Sequence, residues 1–348
     1  MRWAMKVVIL GGGFCGAWVA KKLDANPHLE VALIDTKEYF EYTPSIWKLL
    51  TDASYHNRIV VPYKRFIRRG RVSTDSLVRV TPTTIETKKE TIRFDYLVIS
   101  TGIDYPIFLD NATNVFTVKS GTEVLKFHQK VAKAKSILII GGGVIGTEVA
   151  AELSIRTRGK QITVVHPFDR LLERNTPWVS EYAKRFLEAR GVQIVFGEKI
   201  VGHEKNVFVT GKGRQLKVDL GIWCAGIRWN PWFMKDFPSS IFSEKKALKV
   251  NAFLQLEGFP RIFVGGDINN VDEEKTAAAA DRQAIFIAEN LARMVSGKSL
   301  HGYAPIQLPM DISLSVFDGI ITYPPFMIPG GIPGFVKLLV EKIALHRL

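Results

Sequence analysis

Two short glycine-rich stretches carry the most chemistry in this chain. Gly11-Gly12-Gly13-Phe14-Cys15-Gly16 and Gly141-Gly142-Gly143-Val144-Ile145-Gly146 both read Gly-x-Gly-x-x-Gly. Each follows a run of apolar residues and opens a helical pattern, the setting in which such a loop cradles a pyrophosphate. The first glycine permits a tight turn, the second lets phosphate approach the backbone, and the third lets the helix pack closely on the strand. The helix N-terminus adds free N–H groups and the positive end of a dipole. An acid ending the next strand would accept hydrogen bonds from an adenosine ribose. Asp35, followed by Thr36, stands there, 22 residues after Gly13. In the second stretch His166 takes the matching place, 23 residues after Gly143. An aspartate repels a ribose 2′-phosphate, whereas a histidine tolerates one and Arg170 lies close enough in sequence to help. The second loop therefore reads as open to NADH or NADPH.

The elements that must position these loops come in two copies. Val7–Leu23 matches Ile137–Leu153 at an offset of 130, and Asp95–Gly102 echoes Asp219–Gly226 at an offset of 124. So long a period excludes a solenoid and fits two copies of one domain type. In each copy four apolar residues read as a buried parallel strand, followed by the glycine loop, a helix and a second apolar run. Those second runs are Val31–Ile34 and Ile162–Val165. The first copy adds a β-rich excursion over 71–93 before a strand at 96–100. A further apolar run, Arg261–Val264, ends in Gly265-Gly266-Asp267 after the second copy is complete. The first sheet needs another strand, so the second copy is read as inserted in the first. Lys275 to Met294, rich in alanine, reads as a long helix. The expected fold is α/β, with two Rossmann-like dinucleotide-binding domains, the second inserted in the first, plus a short C-terminal element. The expected division is 1–113 with 250–308, then 114–249, then 309–348.

Composition sets outer limits. Lys and Arg number 47 against 34 Asp and Glu, a formal charge of +13, which leaves anionic lipid, nucleic acid and phosphorylated ligands all open as partners. The cluster Lys64-Arg65, Arg68-Arg69 and Arg71 reads as a solvated face, because no nucleic-acid motif accompanies it. Nucleic acid is therefore not an expected partner. Only two cysteines occur, Cys15 and Cys224, 209 positions apart. That excludes a disulfide framework, a vicinal redox dithiol and a clustered zinc site, so no metal is expected. No export signal or uninterrupted membrane span is evident, and a cytoplasmic protein, either free or peripheral on the cytoplasmic face of a membrane, is expected.

Taken together and in this order, these motifs resemble the FAD-dependent pyridine nucleotide oxidoreductases, over most of the chain. The resemblance implies FAD on Gly11, Gly13, Phe14, Cys15 and Gly16, with Asp35 and Thr36 at the ribose. Ser100-Thr101-Gly102 is similar to the family's Ala-Thr-Gly strand end, and Gly266-Asp267 to its second FAD motif, whose aspartate holds the ribityl chain. Thr276 and Ala277 fall where the family points helix amides at the flavin. NAD(P)H is implied on Gly141, Gly143, Val144, Ile145, Gly146 and His166, with Ala225-Gly226 at the second copy's strand end. Within the family the chain is most similar to type II NADH dehydrogenases and to apoptosis-inducing-factor-like and ferroptosis-suppressor-like quinone reductases. The Gly-Gly-Gly-Phe-Cys-Gly loop and Tyr39-Phe-Glu-Tyr-Thr-Pro44 are similar to that branch. Gly146-Thr147-Glu148 is similar to its Gly-x-Glu, which implies a catalytic Glu148 near nicotinamide and flavin. The other reading of Glu148 is an acid favoured by the dipole of a helix first turn. The chain departs from the type II pattern Ala-Gln-x-x-x-Gln after the Gly-Asp motif, with Ala278 and Arg282 where the glutamines stand.

These features imply hydride transfer from NAD(P)H to FAD, with electrons passed on to a quinone. Two alternatives stay open: a soluble electron acceptor, and a slow-turnover redox sensor similar to apoptosis-inducing factor. Cys15 reads as a packing residue inside the first loop, and Cys224 as inert in its strand. From Phe335 to Leu348 the spacing predicts an amphipathic helix, apolar at 335, 336, 339, 340 and 343, with Lys337, Glu341 and Lys342 on a mostly basic polar face. Such a helix could lie on an anionic membrane surface, or dock on its own core or a homodimer mate.

Overall fold

The computed structural model describes residues 4–110 and 112–348. Its first sheet has six strands in the order Gln255–Leu256, Phe259–Val264, Tyr96–Ile99, Met5–Leu10, Leu29–Asp35 and Arg71–Thr74. All pairings are parallel except the one between the two outermost strands at the 255–264 edge. Val7, Val8 and Ile9 have no solvent exposure, as expected of a central strand covered on both faces. The insertion is visible in the register. Ile262, Phe263 and Val264 lie opposite Leu97, Val98 and Ile99, so the strand that follows the second copy joins the first sheet.

The second sheet is wholly parallel, in the order Val115–Thr117, Leu220–Trp223, Ser136–Ile140, Gln161–His166 and Gln193–Phe196. Six helices of eleven or more residues occur among the described residues: α1 (Phe14–Asp24), α2 (Gly121–Lys133), α3 (Val144–Arg156), α4 (Pro177–Glu188), α5 (Ala277–Val295) and α6 (Gly331–His346). The 71–93 excursion divides. Arg71–Thr74 is an edge strand of the main sheet beside Leu29–Asp35, and only residues 77–93 form a separate three-stranded antiparallel sheet. An edge strand is covered on fewer sides, so Arg71–Thr74 lacks the apolar run that marks its neighbours.

The C-terminal element is a three-stranded antiparallel sheet, Met310–Ser315, Asp318–Tyr323 and Phe326–Gly330, leading into α6. Pro333 sits in the first turn of α6, where a missing N–H costs nothing, so the helix begins four residues before Phe335. Its orientation corrects the sequence reading. Lys337 and Glu341 face inward and are buried, while Ile332, Phe335, Leu339, Val340 and Ile343 face out. Two of the three charged residues of the expected polar face are docked, and only Lys342 stays exposed. The docked face is held by Glu148, which takes Lys337, and by Ser45, Lys48 and Tyr55, which donate to Glu341.

Candidate nucleotide-binding site

The two glycine loops have the same geometry. Gly11 (φ +88°) and Gly141 (φ +111°) adopt a left-handed conformation that disfavours any side chain. A Cβ on Gly16 would overlap the carbonyl oxygen of Gly11, and one on Gly146 the carbonyl oxygen of Gly141. Between them the second glycines stand open, since a Cβ on Gly13 or Gly143 would have no neighbour within 4 Å. The first and third glycines thus close each turn, and the second faces free space of the kind a pyrophosphate requires. Phe14, the first residue of α1, stands edge-on to Phe40 and Tyr42 at 5.1 and 5.5 Å. Cys15 is buried against Gly265, and burial pushes its thiol pKa far up, which suits packing. Val144 and Ile145 are half-buried at the start of α3.

The strand ends support the loops. Asp35 accepts from Gly12 N–H at 2.5 Å and Lys37 N–H at 2.8 Å, and the Thr36 hydroxyl donates to it at 3.5 Å. The hydroxyl of Ser100 reaches the carbonyls of Leu10 and Gly11 at 2.9 and 2.8 Å, tying the third strand to the loop. Thr101 is exposed, and Gly102 turns at φ +72° with open space around it. In the second copy the Ala225 carbonyl accepts from the Trp223 indole, and Gly226 turns at φ +74°. Pro44 opens the segment Thr43–Leu50, and its carbonyl accepts from the Trp47 indole at 2.9 Å.

His166 departs from its sequence reading. Its Nδ1 accepts from Gly142 N–H at 2.9 Å, and its Nε2 lies 3.1 Å from Glu173 Oε2. Arg170 donates instead to the backbone carbonyls of Glu173 and Asn175, at 2.8 and 3.3 Å. Both ring nitrogens of His166 are thus engaged, while Arg170 uses only its Nη2.

Asp267, three residues beyond the strand Phe259–Val264, is half-buried. Its backbone carbonyl accepts from the Trp229 indole at 2.8 Å. Burial raises the pKa of its carboxyl, partly offset by the Lys275 ammonium. Thr276 caps α5 by accepting from Ala279 N–H at 3.2 Å, which leaves the first amides of the helix, Ala277 and Ala278, to point outward. Gln283, absent from the sequence reading, is the clamp beneath. Its Oε1 accepts from Gly266 N–H and Asn269 Nδ2, both at 2.7 Å, and its Nε2 donates to Glu273. A cleft of about 310 Å³ joins the two copies, lined by Gly143 and Val144, by Glu173, and by Thr276 and Ala279 of α5.

Two glycine turns of one geometry, the second opening on a cleft that α5 also lines, match a known architecture. A profile of the pyridine nucleotide-disulphide oxidoreductases matches residues 5–284. The chain belongs to this family. It is 28% identical over 362 residues to apoptosis-inducing factor homolog B of Dictyostelium discoideum, covering 93% of this chain and 91% of that protein. It is 27% identical over 335 residues to ferroptosis suppressor protein 1 of Taeniopygia guttata, covering 91% and 88%. A solved structure of NDH2 from Plasmodium falciparum in complex with NADH has the same fold, with a TM-score of 0.88 at 16% identity over 98% of this chain and 94% of that one. As a pyridine nucleotide-disulphide oxidoreductase, the chain is built to hold FAD and NAD(P)H. It lacks the paired thiols in that family's name, for Cys15 and Cys224 lie at separate loops and are both free.

Family membership directs attention to Glu148. It is the fifth residue of α3 and 2% exposed, and the first turn of that helix contains no acid, so the dipole reading is corrected. Its Oε1 accepts from Ser313 N–H at 3.0 Å and from the Lys337 ammonium of α6. Beside it, Glu341 of α6 accepts from Ser45, from Lys48 at 3.2 Å and from Tyr55. The sequence pattern hid Lys337 and Glu341 because their spacing on an apolar helix looks like a solvated face. Asp311 lies near Lys337 with both carboxylate oxygens buried and unpartnered, and burial pushes its pKa up to about 6. Asp281 on α5 is also buried with an unpartnered oxygen, its pKa pushed up to about 7 by desolvation against the weaker pull of Arg347.

Proposed function

We propose that the protein is an FAD-dependent NAD(P)H dehydrogenase that passes electrons to a quinone at a membrane surface. In this reading residues 1–113 and 250–308 hold FAD, residues 114–249 hold NAD(P)H, and residues 309–348 supply the membrane contact. The shared cleft carries the reading: the second glycine loop and the N-terminus of α5 line one cavity, so a dinucleotide with its pyrophosphate at Gly143 would extend toward the helix whose first amides are assigned to the flavin. Bound FAD would accept a hydride there and release two electrons to an acceptor.

The chain's own residues bind and orient. Asp35 has acceptor capacity for ribose hydroxyls beyond its backbone donors, and the Asp267 carboxylate is available to a ribityl chain. The Ala277 and Ala278 amides would stabilise negative charge on a reduced ring. Glu148, held by Ser313 N–H and Lys337, is the acid assigned to the nicotinamide–flavin junction. With no thiol pair in the chain, no cysteine relay intervenes before the acceptor.

An apolar acceptor fits the outer surface. Phe335 and Ile332 of α6 are 66% and 68% exposed, and Phe326 and Phe317 beside them 70% and 85%. Exposed apolar side chains of this size mark an interaction surface, and the exposed Lys342 and His346 on the same helix suit anionic headgroups. No helix among the described residues is long and apolar enough to cross a membrane, so the proposed contact is peripheral.

The test is anaerobic reduction of the flavin by NADH, followed by reoxidation with a short-chain quinone or with dioxygen. The proposal expects quinone to reoxidise the enzyme faster by at least about tenfold, a difference of roughly 1.4 kcal/mol in barrier. Equal rates with dioxygen would replace it with the soluble-acceptor reading.

A further inference from the structure

The hydrogen bonds of His166 fix its tautomer. Gly142 N–H can only donate, so Nδ1, which receives it at 2.9 Å, carries a lone pair and the ring proton resides on Nε2. That Nε2–H donates to the Glu173 carboxylate 3.1 Å away. Burial lowers the pKa of the ring against the opposing pull of Glu173, consistent with a neutral imidazole. In the first copy the equivalent donor, Gly12 N–H, is met by the Asp35 carboxylate directly. The second copy therefore keeps a carboxylate at its strand end but places it one imidazole farther out, on a residue seven positions beyond the strand.

Glu173 is partly exposed and lines the cleft together with Gly143. The cations nearest to it in sequence are not paired with its carboxylate. Arg170 is engaged with backbone carbonyls, and Arg174 forms an ion pair with Glu274 at 2.9 Å.

We infer that Glu173, held by the neutral His166, is the residue that makes this site select NADH over NADPH. Its carboxylate accepts from the adenosine ribose hydroxyls of NADH and repels the 2′-phosphate of NADPH. This rests on the reading of the second loop as the nicotinamide-dinucleotide site, and His166 acts as the positioning residue.

The test is calorimetric titration of the oxidised holoprotein with NAD⁺ and NADP⁺, which needs neither turnover nor an acceptor. Wild type is expected to bind NAD⁺ at least about tenfold more tightly than NADP⁺, and Glu173→Gln to reduce that ratio by about tenfold, as removal of one charge near a phosphate predicts. Glu173→Asp keeps the charge and is expected to keep a preference for NAD⁺. Added salt should narrow the wild-type ratio by screening the repulsion. Flavin content equal to wild type in each variant would show that the fold is intact. Equal affinities in the wild type, or an unchanged ratio in Glu173→Gln, would overturn the inference. Binding of neither nucleotide by flavin-loaded protein would overturn the second-loop reading beneath it, and the inference with it.

Discussion

Copy one and copy two present matching positions to the C-terminal helix, 130 residues apart, and fill them with opposite chemistry. On α1 the position is Trp18, a buried aromatic over which the Arg347 guanidinium sits at 4.4 Å. On α3 it is Glu148, a buried carboxylate paired with Lys337. The backbone of the two copies is the same through the glycine loops, so the divergence lies in what each copy receives from outside itself. On the α1 side the C-terminal segment contributes a cation over an aromatic face. On the α3 side it supplies a counter-ion without which a charge would be stranded. The lesson is that the duplicated cradles are interchangeable in their glycines and specialised two residues beyond the last of them.

The largest expected effect lies within the shared part. Gly16→Val and Gly146→Val each drive a side chain into the backbone of the preceding turn, and each should cost on the order of 4 kcal/mol or more and yield insoluble or unfolded protein. Thermal unfolding and soluble yield check this. A well-folded variant of either would break the claimed equivalence of the loops.

Next comes the specialised part. Lys337→Met should destabilise the fold by about 3–5 kcal/mol in chemical denaturation, because Glu148 is left buried without its partner. Adding Glu148→Gln to Lys337→Met should restore most of that loss. If the single and double variants were equally unstable, the loss would reflect packing of α6 and not charge.

The smallest effect separates the two sides by pH. Asp281, on the α1 side near Arg347, has its pKa raised to about 7 by burial. A raised folded-state pKa means the contribution to stability is present in acid and is lost as pH climbs through about 7. Asp281→Asn has no such charge to bury. Its stability relative to wild type should grow between pH 5 and pH 8, by on the order of 1–4 kcal/mol. Parallel pH profiles for the two proteins would remove Asp281 from the account.

Much of this architecture was legible in the residues because its signals are local. Gly11-x-Gly13-x-x-Gly16 and its repeat announce a strand–turn–helix by themselves, and Arg261–Val264 before Gly265-Gly266-Asp267 marks a strand that must pair somewhere. The first sheet's need for a partner then implied the insertion. At the candidate site, local sequence was enough to place Asp35 at the strand end beside the first loop, where it accepts from Gly12 N–H. His166 looked like an opening for a phosphate, because nothing nearby in sequence says that Gly142 N–H and Glu173 occupy both of its nitrogens. Glu148 and Lys337 are 189 residues apart, and Glu341 and Lys48 are 293 apart, so these pairings arise from tertiary packing that no local pattern encodes. Helix α6 shows the same limit from the other side. Its period was readable, but which face turns inward depends on the partners it meets, Glu148 for Lys337 and Lys48 for Glu341.

The central claim is that two separate cradles serve two different dinucleotides, and Gly13→Val set against Gly143→Val tests it most directly. Both positions face open space, so both variants should fold. Absorbance spectra of the purified proteins, before and after anaerobic NADH, should show Gly13→Val colourless and Gly143→Val yellow but not bleached. A fully flavin-loaded Gly13→Val, or a Gly143→Val bleached at the wild-type rate, would contradict the account.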